Sequence, residues 1–283
     1  MASFTNFATL SYNGGTTNSN IVTGEILEAL TAVKTAVSAN YSAGDRITYA
    51  LSLVNTGTTA ITDYTVTDDL GGYTVGANTV YPLAYNAGTV RYYINGVLQN
   101  APTVTAGPPL TVTGLTVPAG GNAVLIYETT ATSVAPLATG DSVTNTATIT
   151  GGGLTNTITA QATVEIANSA DLTISKALSP TTVTENGQIT YTFVISNTGN
   201  TEATAADNVV VTDTFDPILR NIAVTYNGTA WTEGTNYTYN TATGVFTTPA
   251  GQITVPAASF TQNTDGTFTV TPGTATLVIT GTV

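Results

Sequence analysis

ITYALSLVNTG at 47–57 returns as ITYTFVISNTG at 189–199. In both stretches apolar and polar residues alternate, and an Asn-Thr-Gly turn signal follows at once. A period of two, carried by β-branched and aromatic residues, is the mark of a strand with one buried face. Because the pattern occurs twice, the unit it belongs to is built twice. The same spacing carries Lys34 onto Lys176. Further on, Val66-Thr67-Asp68 is matched by Val211-Thr212-Asp213, and Asn95-Gly96 by Asn227-Gly228. Val117-Pro118-Ala119 is matched by Val255-Pro256-Ala257, and NAVLIYE at 122–128 by TATLVIT at 274–280. Gly, Pro, Asn and Asp punctuate short alternating runs throughout. The expected fold is all-β: two tandem Ig-like, Greek-key β-sandwich domains at 30–166 and 167–283, the second with an added hairpin around Asp265-Gly266.

Composition agrees with this and removes several classes of function. Hydrophobic residues make up 42 % of the 283 residues and charged residues 8 %, against about 25 % charge in an average globular chain. The apolar content is enough to fold the chain. Cys and His are absent, so thiol chemistry, disulfides and imidazole-based metal or acid–base sites are excluded. No cofactor or metal site is expected. The net charge is −12, and the basic residues are Lys34, Arg46, Arg91, Lys176 and Arg220. Nucleic acid needs clustered cations, so it is not an expected partner. So few Lys and Arg also leave trypsin-like proteases little to cut, which suits an exposed material. The N-terminus, from Met1-Ala2-Ser3-Phe4, has neither a basic nor an apolar region of the signal-peptide kind. No apolar run is long enough to span a membrane.

The two repeats differ at their ends. Repeat 1 continues past NAVLIYE into the strand SVTNTATIT at 142–150, whereas repeat 2 stops at Val283. A sandwich short of a terminal strand exposes an apolar slot and unpaired backbone groups. The absent strand has a counterpart at the other end of the chain, where SFTNFATLS at 3–11 shares Ser, Thr, Asn, Ala and Thr in place with 142–150. Gly-Glu-Ile at 24–26 likewise answers Val-Glu-Ile at 164–166. Residues 1–12 are therefore expected to be a detached donor strand, carried by Phe4, Asn6, Ala8, Leu10 and Tyr12, with 13–29 as a linker. The expected acceptor is the strand bearing Leu277 and Ile279. Donation to a neighbour would be an open, head-to-tail contact that generates a filament. Self-closure, or a segment that is a frayed arm or pairs with the first domain, would be the alternatives.

Three polar residues per domain fall on the inward parity. Lys176 alternates with Leu172, Ile174 and Leu178, and Lys34 with Leu30, Ala32 and Ala36. Asp213 follows Val209 and Val211, and Asp68 follows Tyr64 and Val66. Asn145 shares a face with Val143, Ala147 and Ile149, as Asn6 does with Phe4, Ala8 and Leu10. Burial lowers a Lys pKa and raises an Asp pKa. A neutral amine beside a protonated carboxyl and an Asn amide has what a self-made Lys–Asn isopeptide bond requires. Such a bond would join Lys34 to Asn145, promoted by Asp68, and Lys176 to Asn6 of a neighbour, promoted by Asp213. A buried ion pair with Asn beside it is the other arrangement these residues allow.

Gram-positive pilin and adhesin domains use the same trio in the same order, Lys on an early strand and Asn on the last. The combination of Lys, ITYxxxxxNTG, VTD and a terminal TNTATITG strand resembles the prokaryotic surface repeat family called "domain of unknown function 11". It covers about 30–155 and 172–283, and the second copy lacks the Asn-bearing strand. The resemblance implies stalk-like sandwiches on a cell surface, and for a leaderless two-repeat chain a spore appendage. The expected function is that of a structural subunit of an extracellular filament whose partner is itself. It is not expected to be an enzyme beyond autocatalytic bond formation. A non-polymerising adhesin is the alternative, with Tyr-rich segments at 81–93 and 226–239 offered to glycans; cross-strand packing is the simpler role for those tyrosines. Asp68-Asp69 could meet Ca²⁺ or form a turn, and the Asn-x-Ser/Thr triplets at Asn40, Asn227 and Asn236 are what chance gives in a Thr-rich chain.

Overall fold

The structure is a computed structural model that describes residues 2–26 and 29–283. Met1, within the predicted donor strand, and Leu27 and Glu28, within the predicted linker, lie outside the described residues. The described chain is built from strands, with a single 3₁₀ turn at Ala205–Asp207. It divides into two compact units, 1–135 with 142–165, and 136–141 with 166–283. After residue 165 the chain passes to the second unit. The short segment 136–141 goes with the second unit.

Unit 1 opens with β1 (Ala2–Asn6), β2 (Thr9–Tyr12), β3 (Gly15–Asn18) and β4 (Val22–Ile26), then β5 (Leu30–Ala36), β6 (Asn40–Tyr41), β7 (Arg46–Asn55) and β8 (Ile61–Asp68). β7 lies inside one six-stranded sheet, between the edge strand β5 and the strand Asn122–Ala131. The other six-stranded sheet runs Thr103–Thr105, Leu110–Val117, β8, Ser142–Gly151, Ile158–Ile166, β6. Ile47, Tyr49, Leu51 and Leu53 of β7 are buried, as are Leu125 and Tyr127, Tyr64 and Val66, and Val143, Ala147 and Ile149. These are the alternating sets read from the sequence, and their removal from water drives the sandwich together.

The Asn-Thr-Gly that ends each decisive stretch has a specific task. Asn55 is buried, donates to the carbonyls of Thr59 and Pro118 at 2.9 and 3.1 Å, and accepts from the Gly57 amide at 2.9 Å. Asn197 repeats this with Thr201, Pro256 and Gly199 at 2.7, 3.0 and 2.9 Å. A Cβ on Gly199 would fall 2.1 Å from the Ser169 carbonyl, so only glycine fits there.

Unit 2 keeps the first sheet and loses much of the second. Its five-stranded sheet runs Leu172–Ser179, Gln188–Asn197, Gly273–Thr282, Arg220–Tyr226, Thr229–Trp231. Facing it are three short strands, Thr212–Thr214, Val245–Thr247 and Thr238–Asn240. Their core includes Phe193, Val211, Phe215, Phe246, Leu277 and Ile279. The predicted extra hairpin is present, as Ser259–Gln262 with Phe268–Thr271.

Two expectations are corrected here. Leu277 and Ile279 do not form an acceptor edge, because their strand is hydrogen-bonded on both sides, to Gln188–Asn197 and to Arg220–Tyr226. Both side chains are wholly buried in the core. The edge left open is Thr212–Thr214, which pairs with Val245–Thr247 on one side and, among the described residues, with no strand on the other. Its counterpart β8 has Leu110–Val117 on one side and Ser142–Gly151 on the other. Residues 15–26, within the predicted linker, are also more than a connection, since β3 and β4 pair with β2 and β1.

Candidate functional site: one closed and one open Lys–Asp pair

In unit 1 three strands converge on Lys34. β5 places it opposite Leu51 of β7, on the face that looks into the sandwich. β8 ends at Asp68, which pairs in register with Ala147, and Asn145 follows two residues away on the same face. Lys34 Nζ lies 2.5 Å from Asp68 Oδ2, with both side chains almost wholly buried. Tyr127 donates its hydroxyl to the same carboxylate oxygen, and the Leu70 amide donates to Oδ1 at 3.0 Å. The ammonium sits over the rings of Tyr49 and Tyr127, 4.9 and 5.9 Å from their centroids. Burial lowers the Lys34 pKa, and Asp68 opposes that shift. Burial likewise drives both tyrosine hydroxyls well above their ordinary value; the Asp68 charge adds to this and the neighbouring Asn145 amide works against it. Asn145 is fully buried, and its amide lies beside the Tyr49 and Tyr127 hydroxyls but completes a well-formed hydrogen bond with neither. A buried polar group left in this way costs about 1–3 kcal/mol.

Unit 2 assembles the same pair without the third member. Lys176 Nζ lies 2.5 Å from Asp213 Oδ2, but here the side chains are 40 % and 18 % exposed. Tyr191, Phe193 and Phe215 flank the ammonium at 4.6–5.4 Å. Tyr191 stands where Tyr49 does, while Ile279 stands where Tyr127 does, so Asp213 lacks the hydroxyl donor of the first site. The strand Leu172–Ser179 is exposed along most of its length, including Ile174 and Leu178. Its counterpart β5 buries Leu30 and Lys34. The physical reason is the thinner second sheet: nothing among the described residues of unit 2 covers that face as Ser142–Gly151 and Ile158–Ile166 cover it in unit 1.

The predicted donor residues Phe4, Asn6, Ala8, Leu10 and Tyr12 are all exposed, the large apolar ones, Phe4, Leu10 and Tyr12, by 54 %, 62 % and 61 %. The tyrosines Tyr49 and Tyr127 were missed by reading parity for charge alone. Their own alternation with Ile47 and Leu51, and with Leu125 and Thr129, marked them as inward. Asp69, weighed as half of a Ca²⁺ site, instead accepts the amides of Gly71 and Thr146, both at 2.8 Å. Among the described residues no group of three or more His, Cys, Asp or Glu is placed to hold a metal, and no helix is long and apolar enough to cross a membrane. Of the tyrosines considered for glycans, Tyr92, Tyr226, Tyr237 and Tyr239 are buried, and Tyr92, Tyr226 and Tyr239 hydrogen-bond main-chain groups.

No family model and no curated protein matches the chain. Among solved structures it is similar to the pilus backbone of Streptococcus pneumoniae, at 12 % identity and a TM-score of 0.35, over 86 % of this chain and 55 % of that one. It thus spans little more than half of that protein. It is similar to the major pilin subunit of Bacillus cereus at 14 % identity and TM-score 0.35, over 96 % of this chain and 73 % of that one. A collagen-binding domain of a Staphylococcus aureus adhesin aligns at 11 % identity and TM-score 0.30, over 49 % of this chain and 99 % of that one. At such values the likeness carries no function with it. The all-β sandwich class stands on the strands and cores described above.

Proposed function

We propose that the chain is the structural subunit of an extracellular surface fibre, in which the N-terminal segment of one copy completes unit 2 of the next. One observation carries this reading. The open site keeps the Lys–Asp pair of the closed site at the same 2.5 Å, and among the described residues of unit 2 it has no Asn-bearing strand beside it, while the sequence of that strand recurs in part at residues 3–11. A segment that shares Ser, Thr, Asn, Ala and Thr in place with the absent strand is the natural occupant of that edge, because strand addition satisfies its backbone groups and covers its apolar face. Donation from copy to copy never closes, and so makes a filament.

The sites are further proposed to form isopeptide bonds. Lys34 passes a proton to Asp68 across their short contact, a transfer that burial favours by lowering the lysine's pKa. The neutral amine attacks Cγ of Asn145; as the C–N bond breaks, Asp68 gives its proton to the leaving nitrogen and takes the one shed by the attacking nitrogen, and so ends protonated. Ammonia leaves, and a Lys–Asn amide remains. No oxidant or cofactor takes part. The unsatisfied Asn145 amide supports this over a resting ion pair. At the junction, Lys176, Asp213 and the neighbour's Asn6 would repeat the reaction.

The test uses the purified chain, a version lacking residues 1–12, and Asn6→Ala. The full chain should give filaments by negative-stain microscopy and a ladder that survives boiling in detergent. The truncated chain should give neither, and Asn6→Ala should give filaments that boil down to single subunits. Filaments from the truncated chain would end the donation reading. Subunits of full, unaltered mass released from boiled wild-type fibre would end the covalent one.

A further inference from the structure

The N-terminal segment does not stop at one strand. β1 pairs with β4, β2 pairs with β3, and a two-residue turn, Asn13-Gly14 with φ of 37° and 86°, joins β2 to β3. This is the turn that suits a right-twisted hairpin. Among the described residues these four strands pair only with one another.

The pairing matches the last hairpin of unit 1. There Ser142 faces Glu165, Val143 faces Val164, Thr144 faces Thr163 and Asn145 faces Ala162. In the N-terminal hairpin Ser3 faces Glu25, Phe4 faces Gly24, Thr5 faces Thr23 and Asn6 faces Val22. The Ser–Glu and Thr–Thr pairs are the same residues in the same register. The differing inward pair is complementary in size: Val with Val becomes Phe with Gly, and a Cβ on Gly24 would fall 2.4 Å from the Phe4 ring. The register then shifts by one between Asn6–Val22 and Thr9–Asn18, where the Ala8 amide donates to Ser19 Oγ at 2.8 Å. Nothing in a linker would need Glu25 opposite Ser3 or glycine beneath Phe4.

The gap in unit 2 is correspondingly wide. In unit 1 two strands, Ser142–Gly151 and Ile158–Ile166, stand between β8 and β6. The repeat spacing puts the counterpart of β6 and the residue before it at 181–183, and neither intervening strand has a counterpart among the described residues of unit 2. A single donated strand would satisfy Thr212–Thr214 and leave its own outer edge bare, exchanging one open edge for another. The connectors agree as well. β4 ends at Ile26 and β5 begins at Leu30, much as Ile166 is followed by the strand starting at Leu172.

We infer that the donated element is the hairpin of residues 2–26, filling a two-strand gap between Thr212–Thr214 and residues 181–183 of the next copy. This rests on the donation reading above and adds its register. From Ala147 opposite Asp68 and Thr148 opposite Thr67, Ala8 is assigned opposite Asp213 and Thr9 opposite Thr212. β4 then lies between β1 and residues 181–183, as Ile158–Ile166 lies between Ser142–Gly151 and β6.

The chain has no cysteine, so the hairpin can be locked cleanly. In the double variant Thr5→Cys/Thr23→Cys the new side chains take the face on which Thr144 and Thr163 meet at 2.8 Å, away from the inserted face, and paired strands bring Cα atoms within disulfide range. Oxidised before assembly, the locked subunit is expected to polymerise with the same yield as wild type. Assembly that is lost on oxidation and returns with reductant would show that a lone strand inserts, and would overturn the hairpin. In wild-type fibres, amides of residues 15–26 should be protected from hydrogen exchange together with those of 3–12. Free exchange at 15–26 would overturn the proposal whatever the variant does. A wild-type chain that never polymerises would defeat the donation reading itself, an outcome distinct from either.

Discussion

Lys34 and Lys176 hold their aspartates at the same distance, yet one pair is sealed in a core and the other is open to solvent. The residues making the contact are the same; the covering strands differ. Burial at these sites is thus decided by a strand that neither Lys nor Asp belongs to. In unit 1 that strand also brings an amide that completes no well-formed hydrogen bond, whereas in unit 2 the place beside Asp213 is free for a neighbour.

Three substitution and pH experiments would sharpen or break this contrast. The largest difference is expected from the aspartates. Asp68→Ala strands a buried ammonium and removes the promoter of the bond, and should destabilise unit 1 by upwards of about 5 kcal/mol. Asp213→Ala, in the isolated subunit, breaks an exposed pair and should change denaturant stability by no more than about 1 kcal/mol. Equal losses in the two units would mean that the open site is not open in solution.

Asn145→Ala comes next. With a Lys34–Asn145 bond closing a long loop, its loss should cost about 4–5 kcal/mol, and the intact mass should fall below that of wild type by one ammonia less than the change in side chain alone would give. With an ion pair alone, removing an unsatisfied amide should be neutral or stabilising. The sign of the change therefore separates the two chemistries.

The smallest effect is alkaline. Tyr49 and Tyr127 have raised pKa values when folded, so they keep their protons while the unfolded chain loses its own. Their stabilising contribution is present below the ordinary value of 10.0 and is lost as pH rises beyond it. A free Lys34 acts oppositely. Its folded value is lowered from 10.5, so the unfolded chain binds more protons just below that pH and stability rises with pH there. Cross-linked Lys34 has no titrating amine, and the rise should be missing. Denaturant titrations of unit 1 between neutral pH and about 11 would register the difference, with Lys34→Met as the reference.

Much of this was legible from residue order. Period-two alternation put Lys34, Asp68 and Asn145 on one face each, and the structure brings the three strands together. The repeat of ITYxxxxxNTG located both units, since Asn55 and Asn197 close the same turn in each. What alternation does not report is the neighbour across a sheet edge. Leu277 and Ile279 have the parity of core residues, and they are core residues; but their strand lies in the first sheet, while the Asn-bearing strand crosses to the second and pairs with β8. That crossover misdirected the choice of acceptor edge. Residues 13–29 were misread for a local reason. β3 (Gly15–Asn18) carries no large apolar side chain, and Gly24 interrupts the alternation of Val22 and Ile26 in β4, so their register is visible only in the pairing itself.

Residue order was enough to establish an all-β chain, a duplicated unit and three polar groups facing inward, because strand geometry ties each side chain's direction to its position along the chain. Which strand lies beside which, how deeply a charge is sealed, and whether Phe4 meets a glycine or a valine depend on partners distant in the chain. Those features came from hydrogen-bond register and packing, which one-dimensional periodicity does not encode.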